Sequence, residues 1–379
     1  MLGMSVRWRI VQMVVTCLLA GYATVLLMGT PFLGAEPPLG DFASFYLSGK
    51  AAASGLNPYE AYTLDIPRAV NLNAPASLLL FASLGGVDPF SARRACFVFT
   101  VVAMALLVGL LALRFPGPPL RLAWAVAAAP FWETVALGQI YALLALPTTV
   151  AWLLVQRRPA LSGALIGAVA AVKPNFLFWA ALLFFIGCRR AAIIAAITTL
   201  GLCALAALVF GPNVYVQWFA VVGREPNGAL ALNAALGGLL TRLGVDQLAV
   251  PLDIVGLLAI AAAVVRFRPT TPALVNGLAL TAMLVFSPLA WVGYGLFLLP
   301  LFFERPWTVT YSVAAALLLV PRVLAQEWAD ASALLRLSIG SAYSWAFLLL
   351  LSQQVRALSA PGAQAAPEPA RLRGTPAPS

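Results

Sequence analysis

The sequence contains no histidine and few charged residues. Only 9% of its 379 residues are charged, whereas a soluble globular domain carries about 25%. The absence of histidine excludes imidazole catalysis, histidine-ligated metal sites and histidine proton relays. Cysteine is also scarce, and its spacing fits neither a metal site nor a disulfide framework. The cysteines, all in apolar stretches, are Cys17, Cys96, Cys188 and Cys203.

Apolar sequence is abundant instead. Hydrophobic residues make up 62% of the chain, and the mean hydropathy is +0.94. Apolar runs of about 20 residues, long enough to cross the hydrocarbon core of a bilayer, recur along its length. The sequence therefore predicts an all-α polytopic membrane protein.

The basic residues predict the topology, because cytoplasmic loops of membrane proteins collect Lys and Arg. Between neighbouring arginine clusters the apolar length fits two spans, which returns the chain to the same side. This pattern predicts about twelve transmembrane helices, with both termini in the cytoplasm. The predicted spans are 10–28, 93–113, 121–136, 139–155, 160–173, 175–188, 190–210, 249–265, 272–288, 289–304, 307–323 and 332–352.

A large first outer loop, residues 29–92, contains the apolar segment 74–88, which is too short for a span. We interpret this segment, and the similar segment 229–243, as interfacial or re-entrant helices. Residues 1–356 then form a single membrane domain, and the Pro/Ala-rich cytoplasmic tail 357–379 is expected to be disordered. The net charge of +10 lies mostly on the inner face, where it favours anionic lipids and not nucleic acid.

Asp41 is the most informative polar residue. It lies in the segment GDFASFYLSGK, directly after the first apolar run. A carboxylate at the outer end of a first span can act as a general base on a substrate in the loop. Asp41 also precedes a plausible helix, so its side chain could instead cap that helix by accepting from backbone N–H groups. The two roles are compatible.

Other polar features fall on the same predicted outer face. Gln139 and Tyr141 lie in one turn, Lys173 in a second, and Trp291 and Tyr294 in a third. Each has a structural alternative, because Gln139 could bond a neighbouring helix and Lys173 could extend to the interface. A lysine on the outer side runs against the charge rule, however, and ionisable residues at membrane depth are functional candidates.

Taken in order, these motifs resemble those of a known protein family over about residues 38–300. The motifs are Gly40-Asp41-Phe42 before a Tyr-rich segment, Gly138-Gln139, Gly163 to Lys173-Pro174, Asn233 with Leu239 to Arg242, and Ser287-Pro288 with Trp291 and Tyr294. The set resembles glycosyltransferase family 87, membrane enzymes of the GT-C superfamily that are mostly mannosyltransferase-like. Where the family pattern reads SPxSWxHY, this chain has Ala290 for the serine and Gly293 for the histidine.

The resemblance implies a GT-C-like bundle and an inverting hexosyl transfer on the outer face of a cell membrane. The donor would be a sugar on a polyprenyl phosphate, and the acceptor an envelope lipid or glycan. Asp41 would be the base, and no cofactor or metal is expected, because the donor is already activated. The implied phosphate-binding residues are Lys173, Arg93, Arg94, Arg224 and Arg242. The implied sugar- or acceptor-binding residues are Tyr46, Tyr59, Gln139, Tyr141, Asn233, Trp291 and Tyr294.

Two alternatives belong to other classes. A multi-pass transporter or flippase of a lipid-linked glycan would need charged residues near the midplane and inverted repeats with broken helices, and the sequence shows neither. A relative that binds polyprenyl phosphate without turnover is the second alternative, because Gly293 replaces the family's histidine.

Overall fold

A computed structural model describes residues 6–28, 34, 36–60, 70–223, 232–269, 271–329 and 331–359. Within these ranges the chain forms nineteen α-helices, several short 3-10 turns and no strand, so the all-α prediction is confirmed. The helices are α1 (Val6–Met28), α2 (Phe42–Ala53), α3 (Leu78–Phe81), α4 (Pro89–Arg114), α5 (Pro119–Ala127), α6 (Ala129–Leu137), α7 (Tyr141–Leu154), α8 (Pro159–Val172), α9 (Leu177–Phe185), α10 (Arg189–Phe210), α11 (Asn213–Val222), α12 (Leu236–Arg242), α13 (Ala249–Phe267), α14 (Pro272–Val285), α15 (Leu299–Glu304), α16 (Val309–Leu317), α17 (Arg322–Ala329), α18 (Ala333–Leu337) and α19 (Ala342–Ser359).

Four helical segments in the described part of the chain are long and apolar enough to cross a membrane. They are Pro89–Arg114, Arg189–Phe210, Asp246–Phe267 and Ala333–Leu358. A fifth is present if α16 and α17, which meet at an angle of 84°, count as one span. Shorter apolar helices, such as Tyr141–Leu154 and Pro159–Val172, cover most of the other predicted spans. The protein is therefore helical and membrane-embedded, and the number twelve stays a prediction.

The prediction of one continuous span over 121–136 is wrong. Helix α5 ends at Ala127, Ala128 is extended (φ −66°, ψ 139°), and α6 begins at Ala129. The cause is Pro130, which has no backbone N–H to continue the α5 ladder and whose ring would clash with the preceding turn. The break redirects α6 so that its far end lies next to the loop carrying Asp41.

Helices α8 and α10 pack backbone to backbone. A Cβ atom at Gly163 would collide with the carbonyl of Ala191, and one at Gly167 with the carbonyl of Ala195. Glycines four residues apart allow such close approach, which favours helix association in membranes. Thr199 Oγ1 adds a 3.1 Å hydrogen bond to the Gly167 carbonyl. This rigid pair fixes the end of α8, where Lys173 follows.

Helix α14 lies at the centre of the bundle, and every described side chain from Pro272 to Val285 except Ala273 is buried. A helix that is apolar all round is typical of the core of a large protein. Its two polar side chains are hydrogen-bonded: Asn276 Oδ1 accepts from Trp179 Nε1 at 2.8 Å, and Thr281 Oγ1 donates to Gly277 O at 2.7 Å. From this fixed helix the chain enters the turn that holds Ser287 and Trp291.

The predicted interfacial segment 74–88 forms short helices between Pro75 and Leu84 and not a span. Helix α2 lies against them, with the rings of Phe45 and Phe81 stacked at 5.0 Å. In the tail, α19 continues to Ser359, past the predicted boundary at 357. The rest of the tail lies outside the described residues.

Candidate functional site

Asp41 does not cap α2. Its side chain makes no capping hydrogen bond, because the first N–H groups of that helix already donate to backbone carbonyls. Phe42 N donates to Leu39 O at 3.1 Å, and Ser44 N donates to Asp41 O at 3.1 Å. The capping interpretation is therefore wrong. The half-buried carboxylate turns away from α2, and its Oδ2 accepts a 2.6 Å hydrogen bond from Gln139 Nε2.

Two glycines bring these partners together from positions 98 residues apart. Gly40 has φ +55°, and a Cβ there would lie 2.9 Å from Leu137 O. Gly138 has φ +68° and ends α6 in a left-handed conformation, while a Cβ there would lie 2.7 Å from the Phe42 Cβ. Both conformations favour glycine, and larger residues would push the Asp41 loop away from α6.

The end of α6 also fixes the backbone of Gln139. Gln139 N donates to Thr134 O at 2.9 Å, and Gly138 N donates to Val135 O at 3.2 Å. This pair of bonds is the Schellman arrangement, which satisfies the last carbonyls of a helix. The side chain of Gln139 is thus presented to Asp41 from a rigid turn.

An ion pair that the sequence interpretation missed lies beside Asp41. Arg322, the first residue of α17, places its Nε 3.4 Å from Glu133 Oε2, with side chains 33% and 4% exposed. Arg322 Nε also donates to Gln326 Oε1 at 3.1 Å. The sequence did offer a signal for this pair, because Glu133 lies near the outer end of the predicted span 121–136 and Arg322 near the outer end of the predicted span 307–323. Their pairing could not be read from positions so far apart in the chain.

The electrostatic surroundings of Asp41 are mixed. Burial raises the pKa of the Asp41 carboxyl above its ordinary value, while the Gln139 hydrogen bond and the charges of Arg322 and Lys173 act to lower it. A raised carboxyl pKa makes a stronger proton acceptor, provided that the group stays ionised at the working pH. The nearby cations favour that ionised form.

Lys173 lies over two aromatic rings. Its Nζ is 5.5 Å from the Tyr141 ring centre and 5.1 Å from that of Tyr294, and the two rings meet edge to face at 4.6 Å. Ring faces attract a cation and hold it in place. No acidic group in the described ranges lies within ion-pair distance of Lys173, so its charge is available to an anionic ligand.

Gly293, where the family pattern has histidine, is packed against Tyr141. A Cβ at this position would collide with the Tyr141 ring and lie 2.9 Å from Thr134 Oγ1. The Tyr141 ring therefore fills the space that a side chain at 293 would need. Glycine at position 293 thus leaves room for the Tyr141 ring.

Asn233 and Trp291 join two distant segments in the one isolated β-bridge of the described chain. Asn233 Oδ1 accepts from Ala290 N at 3.1 Å, and Arg242 Nη1 donates to Asn233 O at 3.1 Å. Arg242 is buried and also donates to Ser341 Oγ. The structure thus brings together the motifs around 233–242 and 287–294, with Asn233 and Arg242 engaged in holding them.

The other predicted site residues occupy different surroundings. Arg93 is buried and donates to Pro38 O at 3.1 Å and Val135 O at 2.7 Å. Arg94 is half-buried and donates to Gly34 O at 3.2 Å. The hydroxyls of two tyrosines also bond loop carbonyls, Tyr46 to Val87 at 2.8 Å and Tyr59 to Asn73 at 2.9 Å. The remaining candidate, Arg224, lies outside the described residues.

The described residues contain no group of three or more Cys, Asp or Glu side chains that could hold a metal ion. The central group is instead a carboxylate held by an amide, with two cations and an aromatic pair nearby. Such a set can accept a proton and hold an anionic leaving group, whereas the rings of Tyr141 and Tyr294 are buried and support Lys173.

Comparison with known families agrees with this picture. The model of glycosyltransferase family 87 matches residues 71–290, more than half of the chain. The match includes Gln139, Tyr141 and Lys173, whereas Asp41 precedes it and Arg322 follows it. Searches of curated proteins and of solved structures found no match. With its apolar helices, the chain belongs to glycosyltransferase family 87 and is a membrane glycosyltransferase.

Proposed function

We propose that the protein is a GT-C-type hexosyltransferase that moves a sugar, mannose by its resemblance, from a polyprenyl-phosphate donor to a hydroxyl of an envelope lipid or glycan. The 2.6 Å contact between Asp41 Oδ2 and Gln139 Nε2 carries the proposal. A carboxylate that is fixed by a neutral amide and surrounded by cations is suited to general-base catalysis.

In the proposed reaction, Asp41 accepts the proton of the acceptor hydroxyl. The acceptor oxygen forms a bond to the anomeric carbon, and the bond from that carbon to the phosphate oxygen breaks. Its electron pair leaves with the polyprenyl phosphate, and the anomeric configuration inverts. No cofactor or metal enters this scheme, because the donor is already activated.

Cations near the site support the leaving group. Lys173, without an ion-pair partner in the described ranges, and Arg322 are close enough to act electrostatically on Asp41. Developing negative charge on a departing phosphate is stabilised by fixed cations in a site with little water. Tyr141 and Tyr294 are buried, and their packed rings hold the Lys173 ammonium beside the site.

The proposed location is the cell membrane, with both termini in the cytoplasm and the site on the outer face. This orientation rests on the arginine pattern of the sequence. Cysteines introduced at Ser54 and Ser359, in a variant without native cysteines, should react with impermeant reagents from opposite sides. Reaction from the same side would contradict the topology and the outer position of Asp41.

Transfer itself is tested with the purified protein in lipid nanodiscs. Radiolabelled polyprenyl-phosphate sugars are supplied with membrane lipids, and incorporation is compared between wild type and Asp41→Asn. Gly293 supports one rival function, binding of polyprenyl phosphate without turnover. Donor binding without transfer of any sugar by the wild type would favour that rival.

A further inference from the structure

A pocket of about 440 Å³ opens between the turn that follows α9 and the end of α13. Phe185, Ile186 and Val265 form its apolar walls, and Arg189 and Arg268 line it as well. We call it the arginine pocket. Its two arginines come from segments far apart in the sequence, so the pocket exists only because α9 and α13 pack against each other.

A tight turn places Arg189 at the pocket. Gly187, with φ +90°, ends α9, and its N–H donates to Phe184 O at 3.1 Å while Cys188 N donates to Leu183 O at 2.9 Å. Helix α10 then begins at Arg189, and Cys188 supplies no side-chain cap to it. The N-terminus of a helix favours negative charge. The start of α10 therefore adds to the attraction that the Arg189 side chain exerts on an anion.

Arg268 has an unusual backbone conformation. It follows α13 with φ +46° and ψ +58°, and it is the only non-glycine residue with a positive φ in the described part of the chain. Its N–H donates to Val264 O at 2.9 Å and closes the last turn of the helix. Glycine usually occupies this left-handed position, because a Cβ atom crowds the neighbouring carbonyl. Arginine here costs stability, and such strain is typical of positions that serve a ligand.

The two guanidinium groups have no acidic partner among the described residues. No ion pair in those ranges involves Arg189 or Arg268, and the sequence contains no Asp or Glu over residues 134–224 or 254–303. Arg189 instead places its guanidinium carbon 5.8 Å from the centre of the Phe184 ring, and a ring face holds a cation in place. Both charges are thus available to an anion, and a phosphate is the anion that guanidinium groups match best.

The apolar walls of the pocket continue onto the outside of the bundle. The side chains of Phe185 and Val265 are 51% and 47% exposed, and they belong to segments that the sequence predicts to span the membrane. A ligand whose phosphate lies between the arginines would therefore have hydrocarbon-facing surface directly beside it. A free phosphate makes no use of these walls, whereas a phospholipid can place its acyl chains against them.

We propose that the arginine pocket binds the phosphate of an anionic phospholipid, with its acyl chains against α9 and α13. The arginine pattern predicts that this end of the bundle faces the cytoplasm, where anionic phospholipids attract basic segments. A zwitterionic head group would bring its own cation close to the two guanidinium groups, so the pocket favours a head group without one. In the predicted topology Asp41 lies on the opposite face, and the proposal is independent of sugar transfer.

The test uses phosphatidylglycerol that carries a diazirine near the glycerol end of one acyl chain, present at a low fraction in phosphatidylcholine nanodiscs that hold the full chain. Irradiation should label peptides that contain residues 185–189 and 265–269. The double variant Arg189→Gln with Arg268→Gln should reduce this labelling by about tenfold or more, equivalent to about 1.4 kcal/mol. Labelling equal to that of wild type would overturn the proposal.

A matched control removes the same charge from the same predicted face. Arg157 and Arg158 are exposed in the turn between α7 and α8 and do not line the pocket. The double variant Arg157→Gln with Arg158→Gln should leave labelling of the pocket nearly unchanged. An equal loss in both double variants would overturn the proposal, because it would mean that the whole basic surface attracts anionic lipid and that the pocket adds nothing.

Arg268→Gly distinguishes loss of binding from loss of folding. Glycine relieves the left-handed strain, so this variant should melt at a higher temperature than wild type in nanodiscs without anionic lipid, and yet be labelled less. A variant that is labelled as strongly as wild type would overturn the role of the guanidinium. A melting temperature below that of wild type would contradict the argument that Arg268 is kept at a cost in stability.

Two further probes distinguish the sources of phosphate. Phosphatidylcholine with the same diazirine should label the pocket much less than phosphatidylglycerol; equal labelling would identify a site for bulk lipid and overturn the proposal. Soluble glycerol phosphate, added at millimolar concentration, should not compete with the lipid, because it lacks the acyl chains. Complete competition would assign the pocket to a soluble phosphate compound and would likewise overturn the proposal.

Discussion

Replacement of Asp41 by asparagine separates catalysis from structure more cleanly than any other substitution in this chain. The amide has nearly the shape of the carboxylate, and its oxygen can still accept the hydrogen bond from Gln139 Nε2. It cannot take up the acceptor's proton. We expect Asp41→Asn to bind donor lipid normally and to transfer sugar about 10²–10⁴ times more slowly, the usual contribution of a general base.

The structure removes a complication from this experiment. Loss of an N-cap typically costs about 1 kcal/mol, but α2 takes its first hydrogen bonds from the carbonyls of Leu39, Gly40 and Asp41 itself. Asp41→Ala should therefore leave α2 intact, and any loss of stability should come from the hydrogen bond to the buried Gln139 amide, about 1–3 kcal/mol. The two substitutions should lower turnover alike, so the alanine variant becomes a second test of the base.

The assay is single-turnover transfer from a radiolabelled polyprenyl-phosphate sugar, with donor binding measured separately. The matched control is Glu60→Gln, which neutralises an exposed acid in the same outer loop and should leave the rate unchanged. If Asp41→Asn transferred sugar at the same rate as wild type, the assignment of Asp41 as the base would be refuted. A loss of donor binding equal to the loss of rate would instead give Asp41 a role in binding.

Three further predictions concern the surroundings of the base. Lys173→Ala should weaken donor binding and Lys173→Arg should retain part of it; equal binding in all three proteins would leave Lys173 a role at the interface only. Arg322→Gln removes a charge that lowers the pKa of the Asp41 carboxyl, so that pKa should rise and the acid limb of the pH–rate profile should move to higher pH; an unshifted limb would exclude this role. Gly293→Ala should destabilise the protein by about 1–3 kcal/mol through overpacking against Tyr141, seen as a lower melting temperature than that of Gly201→Ala, whose position is open; equal melting temperatures would contradict the packing argument.

The sequence predicted the class and the family because both depend on local signals. Apolar runs indicate membrane helices wherever they occur, and the family motifs are short strings in a fixed order. The same reasoning expected separate turns to converge, and the structure brings Gln139 to Asp41 and Tyr141 to Lys173. This convergence was predictable because the arginine pattern assigns all these turns to the same face of the membrane.

The contacts within the site were not predictable in the same way. Whether Asp41 caps α2 or turns to Gln139 depends on where the Leu39 and Gly40 carbonyls point, which no residue pattern encodes. The pairing of Glu133 with Arg322 depends on the break at Ala128 and on the sharp bend before α17. These features arise from long-range packing, which the periodicity of the sequence does not reveal.

Arg93 reaches the loop before Asp41 and the end of α6 through their backbone carbonyls. A carbonyl is present at every position, whatever the side chain. Pro38 and Val135 can therefore change over evolution without losing these bonds, provided that the backbone keeps its course. Related sequences should vary freely at the accepting positions and hold the arginine fixed. Alignments that score only paired changes between side chains would then overlook this attachment.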